Sequence, residues 1–218
     1  MMKNHQQYVL KIVPINDYVG LSDDWSSLEE CSNNTFFLSW TWISTWLKSY
    51  LPCADVLSVH YEGELVALSL LCKSTFSSWK RASSRRLHIN QTGDPQLDQV
   101  WIEYNGLICS SLHEKKVQML LMPFLIEHYP SWDELQVGAV TRGFAKALQE
   151  SSKLSCIELW NSPSYGVDLE SLRNENLGFF DSLSRNTRYQ IRRSMKLYSD
   201  MGDLRLEFAS SEEDALRF

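Results

Sequence analysis

No stretch of this sequence is apolar for long enough to cross a membrane. The most apolar run, Met119 to Ile126, is far shorter than the ~20 residues that span a bilayer and is interrupted by Pro123. The opening residues, MMKNHQQ, lack the charged-then-apolar order of a secretion signal, so a cytoplasmic, soluble protein is expected. Cysteine is sparse and scattered: Cys31, Cys53, Cys72, Cys109 and Cys156 are odd in number and form no CxxC pair. That excludes a disulfide framework and offers no thiolate metal site, leaving buried, reduced thiols as the expectation. His5, His60, His88, His113 and His128 form no HExxH or other paired spacing, so neither a metal site nor a Cys-His nucleophile is indicated. With 9 Gly and 6 Pro the chain is not collagenous or low in complexity, and no repeat of solenoid period is visible.

What is present is an ordinary globular mixture, 44% apolar and 22% charged, in 218 residues. A chain of this length buries roughly 70% of its unfolded surface and makes one large or two small domains. Twenty-seven acids against 21 bases give a net charge of −6, which argues against a polyanion binder by overall charge. The bases are nevertheless concentrated. Leu65 to Gly93 holds Lys73, Lys80, Arg81, Arg85 and Arg86 with no acid, and Ser182 to Ser199 holds Arg185, Arg188, Arg192, Arg193 and Lys196 with no acid.

Periodicity gives the elements. Tyr8 to Val13 alternates as a strand, and Ser22 or Asp23 can cap a helix running to Cys31, which Asn33-Asn34 breaks. Ser39 to Leu51 sets Trp42, Trp46 and Tyr50 four apart, a helix ended by Pro52. Asp55 to Tyr61 and Glu64 to Lys73 flank a Glu62-Gly63 hairpin turn, and Ser74 to Ser84 reads as a loop. Arg86 to Asn90 and Gln99 to Ser110 read as strand around the turn Gly93-Asp94-Pro95. Leu112 to Tyr129 then reads as a helix with Pro123 as a kink. Asp133 to Val137 is a strand, Arg142 to Ser151 a helix and Leu154 to Trp160 a strand. The order predicts an α/β protein, a mixed sheet with helices on both faces, over residues 1–163. A polar connector covers 164–181. Residues 182–218 carry a basic helix from Asn186 to Ser199, a Met201-Gly202 stop, a strand Leu204 to Phe208 and a capping-box start at Ser210-Ser211-Glu212-Glu213. This reads as the beginning of a second domain, and truncation is the expected reason that it ends at Phe218.

Three segments carry a family resemblance: FFLSWTWISTW at Phe36 to Trp46, TGDPQLDQVWIEYNGLI at Thr92 to Ile108, and LSRNTRYQIRRSMKLY at Leu183 to Tyr198. With the strand order, they resemble GNAT acetyltransferases of the CelD-like branch, which is similar to the Fem-type transferases in having tandem GNAT-like domains. The resemblance implies a GNAT-like acyl-CoA N-acyltransferase fold, here the first of two tandem domains plus the start of the second. It also implies transfer of an acetyl group from acetyl-CoA to an amine or hydroxyl of a small molecule, sugar or envelope precursor. A GNAT cradles the CoA pyrophosphate in a Q/R-x-x-G-x-G/A turn before its third helix. Here that turn reads Ile108-Cys109-Ser110-Ser111-Leu112, without glycine. The departure implies that this chain lacks the full cofactor site and that acetyl-CoA is bound mainly by the second domain.

Transfer of this kind needs a base for the attacking amine and an acid for the departing thiolate. By resemblance Glu103, in WIEYN, stands where a GNAT places the base, with Tyr104 on the opposite side of its strand, and Tyr165 stands where a GNAT places the acid. The plainer reading of Glu103 is a carboxylate satisfied by a neighbouring base such as Arg86. Arg185, Arg188, Arg192 and Lys196 form one stripe of the basic helix, with Arg193 beside it, while Thr187, Ile191, Met195 and Tyr198 form another. The cationic stripe is either a solvated face or a contact for a CoA or carrier phosphate, an acidic protein face or nucleic acid. Nucleic acid is the least favoured, with DNA excluded and tRNA left as a Fem-type alternative, because one aromatic, Tyr189, interleaves the run. A third reading is a non-catalytic binding module for an anionic ligand or partner. The tryptophans Trp40, Trp42, Trp46, Trp101, Trp132 and Trp160 are expected to pack in the core.

Overall fold

The structure, a computed structural model, describes residues 8–50, 53–77, 83–100, 102–129 and 131–217. The chain divides between Ile157 and Glu158 into two compact units. The first is a mixed α/β unit. Its strands are β1 (Tyr8–Pro14), β2 (Ala54–Tyr61), β3 (Glu64–Ser77), β4 (Ser83–Ile89), β5 (Ile108–Cys109) and β6 (Glu134–Gln136). Its helices are α1 (Leu21–Cys31), α2 (Trp40–Tyr50), α3 (Glu114–His128) and α4 (Arg142–Glu150). The sheet runs β1-β2-β3-β4-β6, with β5 also paired to β3. Antiparallel pairing holds throughout except for β6, which lies parallel to β4 after the crossover through α3.

Alternation along the strands sends successive side chains to opposite faces, and each face buries its own helices. Val56, Leu68, Leu70 and Ile108 pack with Trp25 and Leu28 of α1 and Ile43 and Trp46 of α2. Leu57, Leu71, Leu87 and Ile89 pack with Leu121 and Leu125 of α3 and Phe144 and Leu148 of α4. The β2–β3 turn is tight because Glu62 and Gly63 both take positive φ, 52° and 93°, the combination that matches a two-residue hairpin to the strand twist.

Several sequence expectations need correction. Helix α1 is not capped by Ser22 or Asp23: it starts on Gly20 at φ 80°, whose carbonyl accepts from Asp23 N and Asp24 N. The serines of 74–77 and 83–84 are strand, not loop, because β3 and β4 pair across Ser74↔Arg86 to Ser77↔Ser83, with Arg86 stacked 4.1 Å from the centre of the Phe76 ring. The centre of that expected loop, 78–82, lies outside the described residues. The described residues of 99–107 are in no strand, and two residues, Ile108 and Cys109, rejoin the sheet. Leu154 to Trp160 and Leu204 to Phe208 are in no strand. Of the cysteines, Cys72 and Cys109 are buried, with burial raising both thiols to about 12, whereas Cys31, Cys53 and Cys156 are exposed. Trp46 is buried, Trp160 is exposed, and Trp101 lies outside the described residues.

The second unit holds α5 (Leu169–Asn174), α6 (Phe179–Ser182), α7 (Arg185–Ser199) and α8 (Glu212–Ala215). The span expected to be a polar connector therefore contains two short helices. Side-chain caps start three of the four: Asp168 Oδ1 accepts from Ser171 N, Ser184 Oγ from Thr187 N and Ser211 Oγ from Asp214 N. None of these four helices buries a residue.

Candidate functional site

The most distinctive local structure of the first unit is a strand broken in the middle. Both β4 and β5 pair with β3, at Leu71–Ser77 and at Ala67–Leu68 respectively, and residues 90–107 leave the sheet between them. Two buried asparagines pin the neck of this excursion. Asn90, at φ 50°, turns the chain out of the sheet; its Nδ2 donates to Asn105 Oδ1 (3.0 Å) and to the Gly106 carbonyl (2.7 Å), and its Oδ1 accepts from Leu70 N (2.9 Å). Asn105 Nδ2 donates to the Ile89 carbonyl (2.8 Å) and its Oδ1 accepts from Gly106 N (2.8 Å). The outer part is tied by Asp98, whose carboxylate accepts from Thr92 N, Thr92 Oγ1 and Gly93 N, all at 2.8 Å. Gly93 sits so close to His88 that a Cβ there would lie 2.3 Å from the ring Nε2, which bonds Ser74 Oγ at 2.8 Å. Burial lowers the pKa of His88.

This break opens a cleft of about 130 Å³, bounded by the α1–α2 connection, residues 104–107 and the first turns of α3 and α4. Its polar lining includes Asn33, Asn34, Tyr104, Asn105, Gln118 and Thr141. The Thr35 hydroxyl is buried at its wall with no hydrogen-bond partner among the described residues. Among those residues the lining holds one carboxylate, Glu114, which accepts from Gln118 Nε2 at 3.0 Å, and no cation. Tyr104 at φ 51° is held in the left-handed region at the rim, and Thr141 caps α4 by accepting from Phe144 N.

The same geometry tests whether a CoA pyrophosphate fits the turn into α3. Anion cradles need free backbone N–H groups, with glycine to let the ligand approach. Here Ser110 N donates to the Val66 carbonyl, Ser111 N to the Cys31 carbonyl and His113 N to the Ser110 carbonyl. His113 is anchored through Nδ1 to the Tyr8 hydroxyl (2.8 Å), and Glu114 places a carboxylate in the first helical turn. Lys115 and Lys116 are exposed and do not line the cleft. The turn fits the pyrophosphate poorly: three of the four amides of 110–113 already donate inside the fold, no glycine opens the approach, and the helix begins on a carboxylate.

A larger cleft, about 580 Å³, lies along β1 and the last turns of α3. At its edge Asp55 accepts from the Tyr129 hydroxyl and pairs with Lys73 Nζ at 3.4 Å, and Lys73 also lies 4.2 Å from the centre of the Tyr129 ring. Burial and Asp55 together raise the Tyr129 phenol above its ordinary value. This cluster ties β2, β3 and the end of α3.

Glu103, expected on the fourth strand, is on the irregular excursion, exposed and without a bonded partner among the described residues. Arg86 does not satisfy it, because Arg86 Nε bonds Glu134 at 2.8 Å. Tyr165 is 92% exposed in an irregular stretch of the second unit, with no strand before it. Arg185, Arg192, Arg193 and Lys196 are exposed on α7, Arg188 is half-buried, and none makes an ion pair among the described residues. The cleft residues Asn33, Asn34, Thr35 and Thr141 were not legible as site residues. Asn33-Asn34 reads as a helix breaker, and Asn105-Gly106 is a pair of turn-forming residues inside a run that otherwise alternates like a strand. Among the described residues no group of three or more His, Cys, Asp or Glu could hold a metal, and no helix is long and apolar enough to cross a membrane.

No family model and no curated protein matches the sequence. Among solved structures, the chain is similar to an aminoglycoside acetyltransferase from an uncultured soil metagenomic sample, in complex with trehalose (14% identity, 75% of this chain and 99% of that one, TM-score 0.38). It is also similar to an integron cassette protein from the mobile metagenome of V. cholerae (14%, 77% and 98%, TM-score 0.42). A third is a ribosomal-protein-alanine N-acetyltransferase from Brucella melitensis biovar Abortus (11%, 73% and 99%, TM-score 0.37). At TM-scores this low, the likeness carries no argument about the site. The assignment to the mixed α/β class rests on the chain's own sheet.

Proposed function

We propose that this chain serves acyl transfer of the GNAT kind, from acetyl-CoA to an amine or hydroxyl of a small molecule, sugar or envelope precursor, with the cleft at the β4–β5 break as the acceptor end. The carrying observation is the cleft's lining of amides and hydroxyls with one carboxylate and no cation, which suits a neutral or amine-bearing polar group and disfavours an anion. Glu103, next to the rim residue Tyr104 and free of partners among the described residues, is the proposed base, and Tyr165 the proposed acid. The turn 110–113 takes no part in holding phosphates. The proposed anion contact is the face of α7 bearing Arg185, Arg188, Arg192, Arg193 and Lys196. The finer assignment to a CelD-like branch with tandem domains is supported by the three sequence segments. The second of these builds the Asn105 neck and the third is α7.

Calorimetric titration of the full chain with acetyl-CoA tests this reading. Saturable binding, weakened by salt and by Arg188→Gln/Arg192→Gln, is expected. No heat from folded protein refutes it in favour of a second reading, a non-catalytic module holding an anionic ligand, which the spent donors of 110–113 favour. Under the tRNA-dependent alternative, salt-sensitive tRNA binding would be lost in the same variant.

A further inference from the structure

Residues 204–208 read Leu-Arg-Leu-Glu-Phe, and no hydrogen bond or ion pair engages them among the described residues. They are in no helix or strand, and no backbone hydrogen bond engages them. Leu204 is 54% exposed, Leu206 81% and Phe208 83%. Arg205 and Glu207 are exposed and make no ion pair or hydrogen bond among the described residues. In an extended chain, side chains alternate, so the three apolar groups would share one face and the two charges the other. Such a row needs both a paired edge and a covered face.

We infer that two copies of the chain pair through residues 204–208 as antiparallel strands, related by a two-fold axis at Leu206. The occupant follows from the sequence being its own complement. A two-fold contact sets residue i against j and j against i. Centred on Leu206, it places Arg205 opposite Glu207 of the second copy, twice, Leu204 opposite Phe208, twice, and Leu206 opposite itself. Asp203 then faces Ala209, so no like charges meet. A parallel, in-register pair would set Arg205 against Arg205 and Glu207 against Glu207, and like charges directly opposite are destabilising. A slip by one residue would turn the apolar row to the other face. Charge and pattern therefore select one orientation and one register. A bare two-stranded pair is marginal, and the two apolar rows together bring six side chains onto one face, through which the ribbon can pack.

Sedimentation velocity on the full chain, over a wide concentration range, tests this with Arg205→Glu, Glu207→Arg and the doubly exchanged variant. The wild type is expected to dimerise. Each single variant, with two opposite-charge pairs turned into two like-charge pairs, should associate about tenfold more weakly. The double exchange should restore association. Mixing the two single variants should form a heterodimer, because one copy then carries carboxylates at both positions and meets guanidinium groups at both positions of the other. This mixture also shows that both variants are folded. A wild type that stays monomeric throughout, single variants that dimerise like wild type, or a double exchange or mixture that fails to recover association would each overturn the inference. So would pairing that survives Leu206→Asp, since that change puts two carboxylates on the axis.

Discussion

Replacing Asn105 by alanine isolates the device that holds the broken strand open. The substitution removes the donor to the Ile89 carbonyl and the acceptor for Gly106 N and Asn90 Nδ2. Asn90 Nδ2 keeps its bond to the Gly106 carbonyl, so two backbone groups, Ile89 C=O and Gly106 N–H, are left unmatched. Asn105 is 3% exposed and Asn90 2%, so water reaches these groups only if the neck opens. At about 1–3 kcal/mol for each orphaned buried group, the expected loss is about 2–6 kcal/mol, a large part of the roughly 5–15 kcal/mol that holds a domain folded. Urea unfolding followed by tryptophan fluorescence reads it. Asn33→Ala, at an exposed residue of the same cleft with no hydrogen bond, is the control and should stay within about 0.5 kcal/mol. Hydrogen exchange at Thr92 and Gly93 should quicken in the Asn105 variant. A loss under about 1 kcal/mol, or equal losses at Asn33 and Asn105, would refute the idea that the amide pair clamps the excursion.

The same region yields two further expected outcomes. Gly93→Ala and Gly20→Ala both force a left-handed residue, at φ 79° and 80°, but a Cβ at Gly20 meets nothing within 4 Å whereas one at Gly93 meets His88 and Ser74. Thermal or urea unfolding should show about 1–2 kcal/mol lost at Gly20 and about 2–4 kcal/mol at Gly93, and equal losses would contradict the contact. His88, whose pKa is lowered chiefly by burial, binds its proton less tightly folded than unfolded. Stability should therefore be full above its ordinary value of ~6.5 and decline as pH falls from there toward the lower folded value. His88→Gln should flatten that decline in urea midpoints measured across the range, and a decline unchanged by the substitution would assign it to other groups.

How far the sequence could be read depended on where each element finds its partner. The β2–β3 hairpin and α2 were legible because their signals are local: a Glu-Gly turn, and apolar residues four apart ended by proline. The 90–107 excursion was not, since Gln99 to Ser110 alternates well enough to pass for strand. What removes it from the sheet is a bond between Asn105 and Ile89, 16 residues apart. Ser74 to Ser77 has the composition of a loop, yet it pairs with 83–86, where Arg86 covers the Phe76 ring and bonds Glu134. Leu154 to Trp160 and Leu204 to Phe208 show the converse: alternation specifies a face but supplies no neighbouring strand. For the site, sequence pointed to Glu103, Tyr165 and the cations of α7 but not to the cleft, whose walls come from four separate segments.

The most direct measurement is an acetyl-CoA titration of ¹⁵N-labelled protein by NMR. Saturable shifts are expected at the α7 cations, Arg188 and Arg192 foremost, with the amides of Ser110, Ser111 and His113 unmoved because their hydrogens are already given to Val66, Cys31 and Ser110. Shifts centred on Ser110 to His113, or no shift anywhere in the folded chain, would contradict that expectation.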